Sequence, residues 1–261
     1  MEVPFYQVDA FSSKIFEGNP AGVCLLESWL ADEVLQNIAA ENNLSETAFL
    51  VQRSQGRYEL RWFTPTVEID LCGHATLASA FIIFSFIGST LSSLDFETAS
   101  GLLSVSKSGE LLSMDFPARK PVPVEAYPAL AKALGAEPSE YWKSRDLVAV
   151  FKDESTIRDI NPDFDRLRQI RDAFAVIVTA PGEKADFVSR FFAPNAGILE
   201  DSVTGSAHST LIPYWADRLE KNELHAFQLS KRGGELFCEN IGDRVRISGH
   251  AVLYAKGELY L

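Results

Sequence analysis

Apolar and polar positions alternate along residues 5–11, which predicts a strand, and residues 21–26 predict a second. The loop between them ends in Gly18-Asn19-Pro20. At 32–41 the period changes: Val34, Leu35, Ile38 and Ala39 share one helical face, with Asp32 at the N-cap and Asn42-Asn43 as the stop. Strand periodicity returns at 48–51 and 57–63. Three short strands follow at 94–98, 102–107 and 111–116, with Ser/Gly turns between them. The longest apolar segment is 75–91. It holds Thr76, Ser79, Ser85 and Ser89, and it is short for a membrane span of about 20 residues, so it predicts a helix buried on all sides.

The prolines of 117–123 mark a domain boundary. Beyond it the pattern predicts helices at 129–134 and 163–168, strands at 147–152, 175–179 and 186–192, and a helix after Gly205 carrying Leu211, Ile212, Tyr214 and Trp215. Four strands close the chain, at 227–230, 235–239, 244–248 and 251–254. Two stretches repeat. Arg61-Trp62-Phe63-Thr64-Pro65 resembles Arg190-Phe191-Phe192-Ala193-Pro194, and Gly73-His74-Ala75 resembles Gly205-Ser206-Ala207. The second offset exceeds the first by three residues, an insertion before the second glycine turn. Each copy reads strand, acidic loop, glycine turn, buried helix. The domains are therefore expected at 1–117, joined by the last strand (251–261), and at 118–250.

Composition narrows the function. The 261 residues carry a net charge of −12, which argues against nucleic acid or an anionic membrane as partner. Cys24, Cys72 and Cys238 form neither a disulfide framework nor a zinc spacing, and the N-terminus has no signal-peptide pattern, so a reducing, cytoplasmic setting is expected.

Chemistry gathers at the two glycine turns. If Gly73 and Gly205 open helices, each start offers unpaired N–H groups and about half a positive charge, a site for a small carboxylate substrate. Cys72 and Thr204 stand just before those glycines. His74, in a first helical turn, is expected as a neutral ring; taken without the repeat, it reads more readily as a packed core histidine. A thiol at Cys72 is open to activation by the helix dipole. Glu46 lies beside Leu44 and Ala48-Phe49 at a strand start, where apolar surroundings would suit a base, although spacing alone does not separate it from Glu41. Asp201 and Ser206 flank the second turn, as a cap or as substrate contacts.

These motifs carry a resemblance. Val8-Asp9-Ala10-Phe11, Gly18-Asn19-Pro20-Ala21, Asn43-Leu44-Ser45-Glu46-Thr47-Ala48-Phe49, Leu71-Cys72-Gly73-His74-Ala75-Thr76 and 201–208 with Pro213-Tyr214-Trp215 are similar to the PhzF-like phenazine-biosynthesis isomerase family, over nearly the whole chain. The resemblance implies an α+β fold of two pseudo-symmetric domains, each a β-barrel-like sheet wrapped around a central helix, as in diaminopimelate epimerase. It implies an active site in the cleft between the domains, a homodimer, and no metal or organic cofactor. It makes Glu46 the general acid/base, with His74, Asp201 and Ser206 as further catalytic residues and Gly73 and Gly205 as backbone anion contacts. Ser202 stands where the family has Pro, so a looser loop around Asp201 is expected, and the chain is short for the family, so its covering loops are expected to be trimmed. The expected activity is isomerisation by proton transfer between carbons of a small carboxylate. The alternatives are an amino-acid epimerase or racemase of the same fold, or a small-acid-binding protein that has lost turnover.

Overall fold

Strand β1 (Glu2–Ala10) runs antiparallel to β2 (Asn19–Leu26). Helix α1 (Asp32–Asn42) carries the chain back, so β3 (Glu46–Ser54) lies parallel to β2, with Ala21 opposite Glu46. The helix ends as its sequence predicts, on Asn43 in the left-handed conformation, but its N-cap is Ala31, with Asp32 and Glu33 in the first turn. Next come β4 (Arg57–Phe63), the two-residue β5 (Glu68–Ile69) and α2 (Gly73–Ile82). The helix returns the chain to β6 (Ser93–Thr98), parallel to β4, and β7 (Gly101–Ser108) and β8 (Leu111–Pro117) complete an antiparallel meander.

The computed structural model describes all 261 residues, in two units: Met1–Asp115 with Ser248–Leu261, and Phe116–Ile247. In the second unit β9 (Val122–Pro123) and α3 (Pro128–Leu134) precede β10 (Glu140–Lys143) and β11 (Leu147–Val150). Helices α4 (Glu154–Asp159) and α5 (Phe164–Leu167) lead to β12 (Val176–Pro181), parallel to β11. Then β13 (Phe187–Ala193), β14 (Ile198–Asp201), α6 (Gly205–Leu219) and β15 (Glu223–Gln228) repeat the first unit's order, with β15 parallel to β13. Next are β16 (Gly234–Ile241) and β17 (Arg244–Gly249), and β18 (Ala251–Tyr260) returns to pair with β1.

The repeat extends to side chains. Arg61 forks onto Glu68 and lies over the Phe63 ring; Arg190 forks onto Glu200 and lies over Phe192. The three extra residues of the second copy fall between β13 and β14, where Pro194–Ala196 forms a 3-10 turn.

Burial on both faces of β3 explains its apolar run. Phe49 and Val51 belong to the core that α1 covers with Leu35, Ile38 and Ala39. The period of two turns Glu46, Ala48 and Leu50 to the opposite face, where α2 packs against β1, β2 and β3. Helix α2 is buried from His74 to Ala80, as predicted for 75–91, but it is shorter. A π-helical turn, Ile83–Ile87, ends it and brings Phe86 and Ile87 to the surface, because hydrophobicity persists past the point where the sheet covers it. No helix is long and apolar enough to cross a membrane.

Candidate active site

In the first unit the site grows from three elements. Cys72 caps α2 in an extended conformation, and the Thr76 hydroxyl donates to its carbonyl at 2.6 Å. That geometry directs His74, in the first turn, toward the start of β3 and β2. Its Nε2 lies 2.9 Å from Glu46 Oε2. On the ring's other side Nδ1 is 3.2 Å from Asn19 Nδ2 and 3.5 Å from Cys72 Sγ. Glu46, His74 and Cys72 are each 6% exposed, and Asn19 is fully buried. Gly73 opens the helix, as its position in the motif predicts.

Two expectations change here. His74 is not held as an ordinary neutral ring. Burial works against its charge, but the Glu46 carboxylate, 2.9 Å from Nε2, outweighs burial and lifts its pKa well above the usual histidine value. Cys72 is not an activated thiol. Burial, and then the Glu46 carboxylate, raise its pKa, and together they prevail over the helix start.

In the second unit Thr204 caps α6 and Gly205 opens it. Asp201 Oδ2 accepts from the Thr204 hydroxyl at 2.5 Å. Gln228, fully buried, clamps the turn: its Oε1 accepts from the Thr204 N–H at 2.8 Å, and its Nε2 donates to the Asp201 carbonyl at 2.8 Å. Ser230 donates to the Ser202 carbonyl at 2.7 Å. The loop around Asp201 is therefore tied by β15 and the residues after it, not loosened by Ser202. Ser206 accepts from Arg145 Nη2 at 3.3 Å. One turn into α6, His208 Nδ1 donates to the Thr204 carbonyl at 2.8 Å, the bond Thr76 makes in the first unit. Burial pushes His208 down to about 4.

Sequence reasoning missed Asn19 as a partner of His74, and Gln228 and Arg145 altogether. Asn19 lay in plain view in Gly18-Asn19-Pro20. Gln228 and Arg145 carry no local signal, since each meets its partners across 24 and 61 residues of sequence.

Residues 8–257 match the model of phenazine biosynthesis-like proteins, PhzC-PhzF. The chain belongs to that family. It is 52% identical, over the full length of both chains, to a protein of Pseudomonas aeruginosa named an uncharacterized isomerase. A crystal structure of a PhzF-family protein from Enterococcus faecalis superposes with a TM-score of 0.98 at 51% identity, again over all of both chains. The fold reaches further. A hydroxyproline epimerase from Agrobacterium vitis matches 99% of this chain and 92% of its own, with a TM-score of 0.62 at 10% identity. This PhzF-like chain is thus an isomerase on a mixed α+β fold shared with epimerases.

Proposed function

We propose that this PhzF-like isomerase moves a proton between carbons of a small carboxylate substrate without a cofactor, with Glu46 as general acid/base. One observation carries the reading: a buried carboxylate sits at the head of β3 with Oε2 against His74, while Oε1 makes no hydrogen bond within the chain. Oε1 takes the proton from a carbon acidified by a neighbouring carboxylate or double bond. The electron pair left behind shifts the double bond, and the same Oε1 returns the proton to a second carbon. No electrons enter or leave. His74 fixes the carboxylate's orientation and balances its charge. In the first unit the N–H of Gly73, at a helix start, suits a substrate carboxylate; in the second unit Gly205 offers a like helix start, with Asp201 and Ser206 beside it as polar groups.

Epimerisation with one base on each face of a carbon fits less well. Burial and the Glu46 carboxylate raise the pKa of the Cys72 thiol, and Thr204, its counterpart in the repeat, spends its hydroxyl on Asp201. The direct test is deuterium incorporation from D₂O, read by mass spectrometry over a panel of small cyclic and amino carboxylates. Exchange into one compound by the native protein, falling at least a thousandfold in Glu46→Gln, is the expected result. Full exchange in Glu46→Gln on a confirmed substrate removes Glu46 from the mechanism.

A further inference from the structure

The start of α6 carries more positive charge than its own helix supplies. Arg145 lies in the turn between β10 and β11. Its Nε and Nη2 fork onto the fully buried Asp146, at 3.0 and 2.8 Å. The guanidinium carbon lies over the Phe174 ring, 4.5 Å from its centroid, and Nη2 reaches on to Ser206. Nη1 makes no hydrogen bond within the chain, and the side chain is 34% exposed.

A second guanidinium stands nearby for a reason written in the helix. Pro213 lies inside α6 and has no N–H to give the carbonyl four residues earlier. That carbonyl belongs to Ser209, and it accepts from the backbone N–H of Arg119 at 2.8 Å. Arg119 is thereby anchored one turn beyond Ser206. Its Nη1 is buried with no partner, and burial together with the charge of Arg145 lowers its pKa. The turn bearing Arg145 is tied to the same helix by Ser144, whose hydroxyl is 3.0 Å from that of Thr210.

Charge now decides the matter. Two guanidiniums and a helix amino end are met by two carboxylates, Asp146 on Arg145 and Asp201 on the Thr204 hydroxyl at the helix start. Nη1 of each guanidinium is left without a protein partner, and a partly desolvated cation in that state favours an anion beside it. We propose that Arg145 and Arg119, with Ser206 and the amino end of α6, form an oxyanion site for a carboxylate of the substrate. Arg145 is its specificity-determining residue. This deepens the isomerase reading above and rests on it for the word substrate. The chain then selects substrates whose carboxylate is gripped by side-chain charge as well as by backbone N–H groups.

The test is direct binding of malonate to the intact protein at constant ionic strength, by calorimetry, with the Arg145 Nε–H resonance as the locating signal. Native protein is expected to bind malonate and shift that resonance. Arg145→Gln and Arg119→Gln should each weaken binding about tenfold or more, and Arg145→Lys should recover only part of it. Arg145→Gln strands the buried Asp146 and can unfold, so Arg145→Gln with Asp146→Asn carries the same test with both charges removed. Equal binding by native protein and these variants, or no binding by native protein, overturns the proposal. Inorganic phosphate binding tenfold tighter than malonate overturns the assignment to a carboxylate. Since binding needs no proton transfer, a failed exchange assay leaves this result standing. Lost anion binding, in turn, leaves Glu46-dependent exchange to be judged alone.

Discussion

Two histidines with opposite surroundings show how residue-scale chemistry is set. His74 faces Glu46 across 2.9 Å and its pKa rises; His208 meets the Thr204 carbonyl and the Phe187 ring, and burial lowers its pKa to about 4. His208 Nδ1 donates to Thr204, so the proton sits there and Nε2 is buried without a partner. Protonating Nε2 places an unpaired charge in the core. The unfolded chain, with a histidine near 6.5, binds that proton more readily than the folded one. Stability is therefore complete above about pH 6.5 and falls as pH drops toward about 4, by about 3 kcal/mol from this residue. Asn places an amide N–H near Nδ1 and does not titrate. Urea unfolding at pH 7 and pH 4.5 should show a smaller loss on acidification in His208→Asn than in the native protein. Equal losses would place the acid sensitivity elsewhere. His208 shares its sequence neighbourhood with the glycine turn, but its burial came only with the fold, and so did the partner that overrides the helix start at His74.

Legibility at the scale of elements follows length and period. Residues 57–63 alternate cleanly and form β4 over the same residues, since one strand face is core and the other is half exposed. Strand β10 and helices α4 and α5 are four to six residues long, too short for a period to register, and of these only α5 was anticipated. The glycine turns did open helices, yet the side chains that complete each site came from distant strands. The turn before β2 is where one residue governs an element. Gly18 has φ +69°, and a Cβ there would meet the Ala10 carbonyl oxygen at 2.2 Å. Phe11 and Phe16, in the same loop, also have positive φ, at 62° and 72°. The loop is strained, and glycine is the residue that lets it close against Ala10, which pairs with Asn19. Gly18→Ala should cost about 3 kcal/mol in urea unfolding. It should also move Asn19 away from His74 Nδ1, so the ¹⁵N shift of that nitrogen changes. A stability loss under about 0.5 kcal/mol would mean the loop relaxes without cost.

The first unit is built from both ends of the chain. It leaves at Asp115, and the sequence returns to it at Ser248. Strand β18 then pairs with β1 from Ala251 opposite Ala10 to Tyr260 opposite Glu2, and Leu261 N–H donates to the Met1 carbonyl. Between them the pairing shifts register at Gln7/Val8. Strand β1 thus has β2 on one side and β18 on the other, and α2 packs on both β1 and β18. Removing residues 251–261 turns β1 from an inner strand into an edge. An edge exposes a row of unpaired N–H and C=O groups and templates pairing with another chain. It also uncovers part of α2, whose buried face includes Ala75, Ala78 and Ile82. Hydrogen exchange by mass spectrometry on residues 1–250 should show β1 amides exchanging at least a hundredfold faster than in the full chain, while β12 and β13 keep their protection. Adding a peptide of residues 251–261 in trans should restore part of the β1 protection, because the missing strand supplies backbone partners rather than a covalent link. Unchanged β1 protection in the shortened chain would mean that β2 alone holds β1, and that the return of the chain is not what closes the unit.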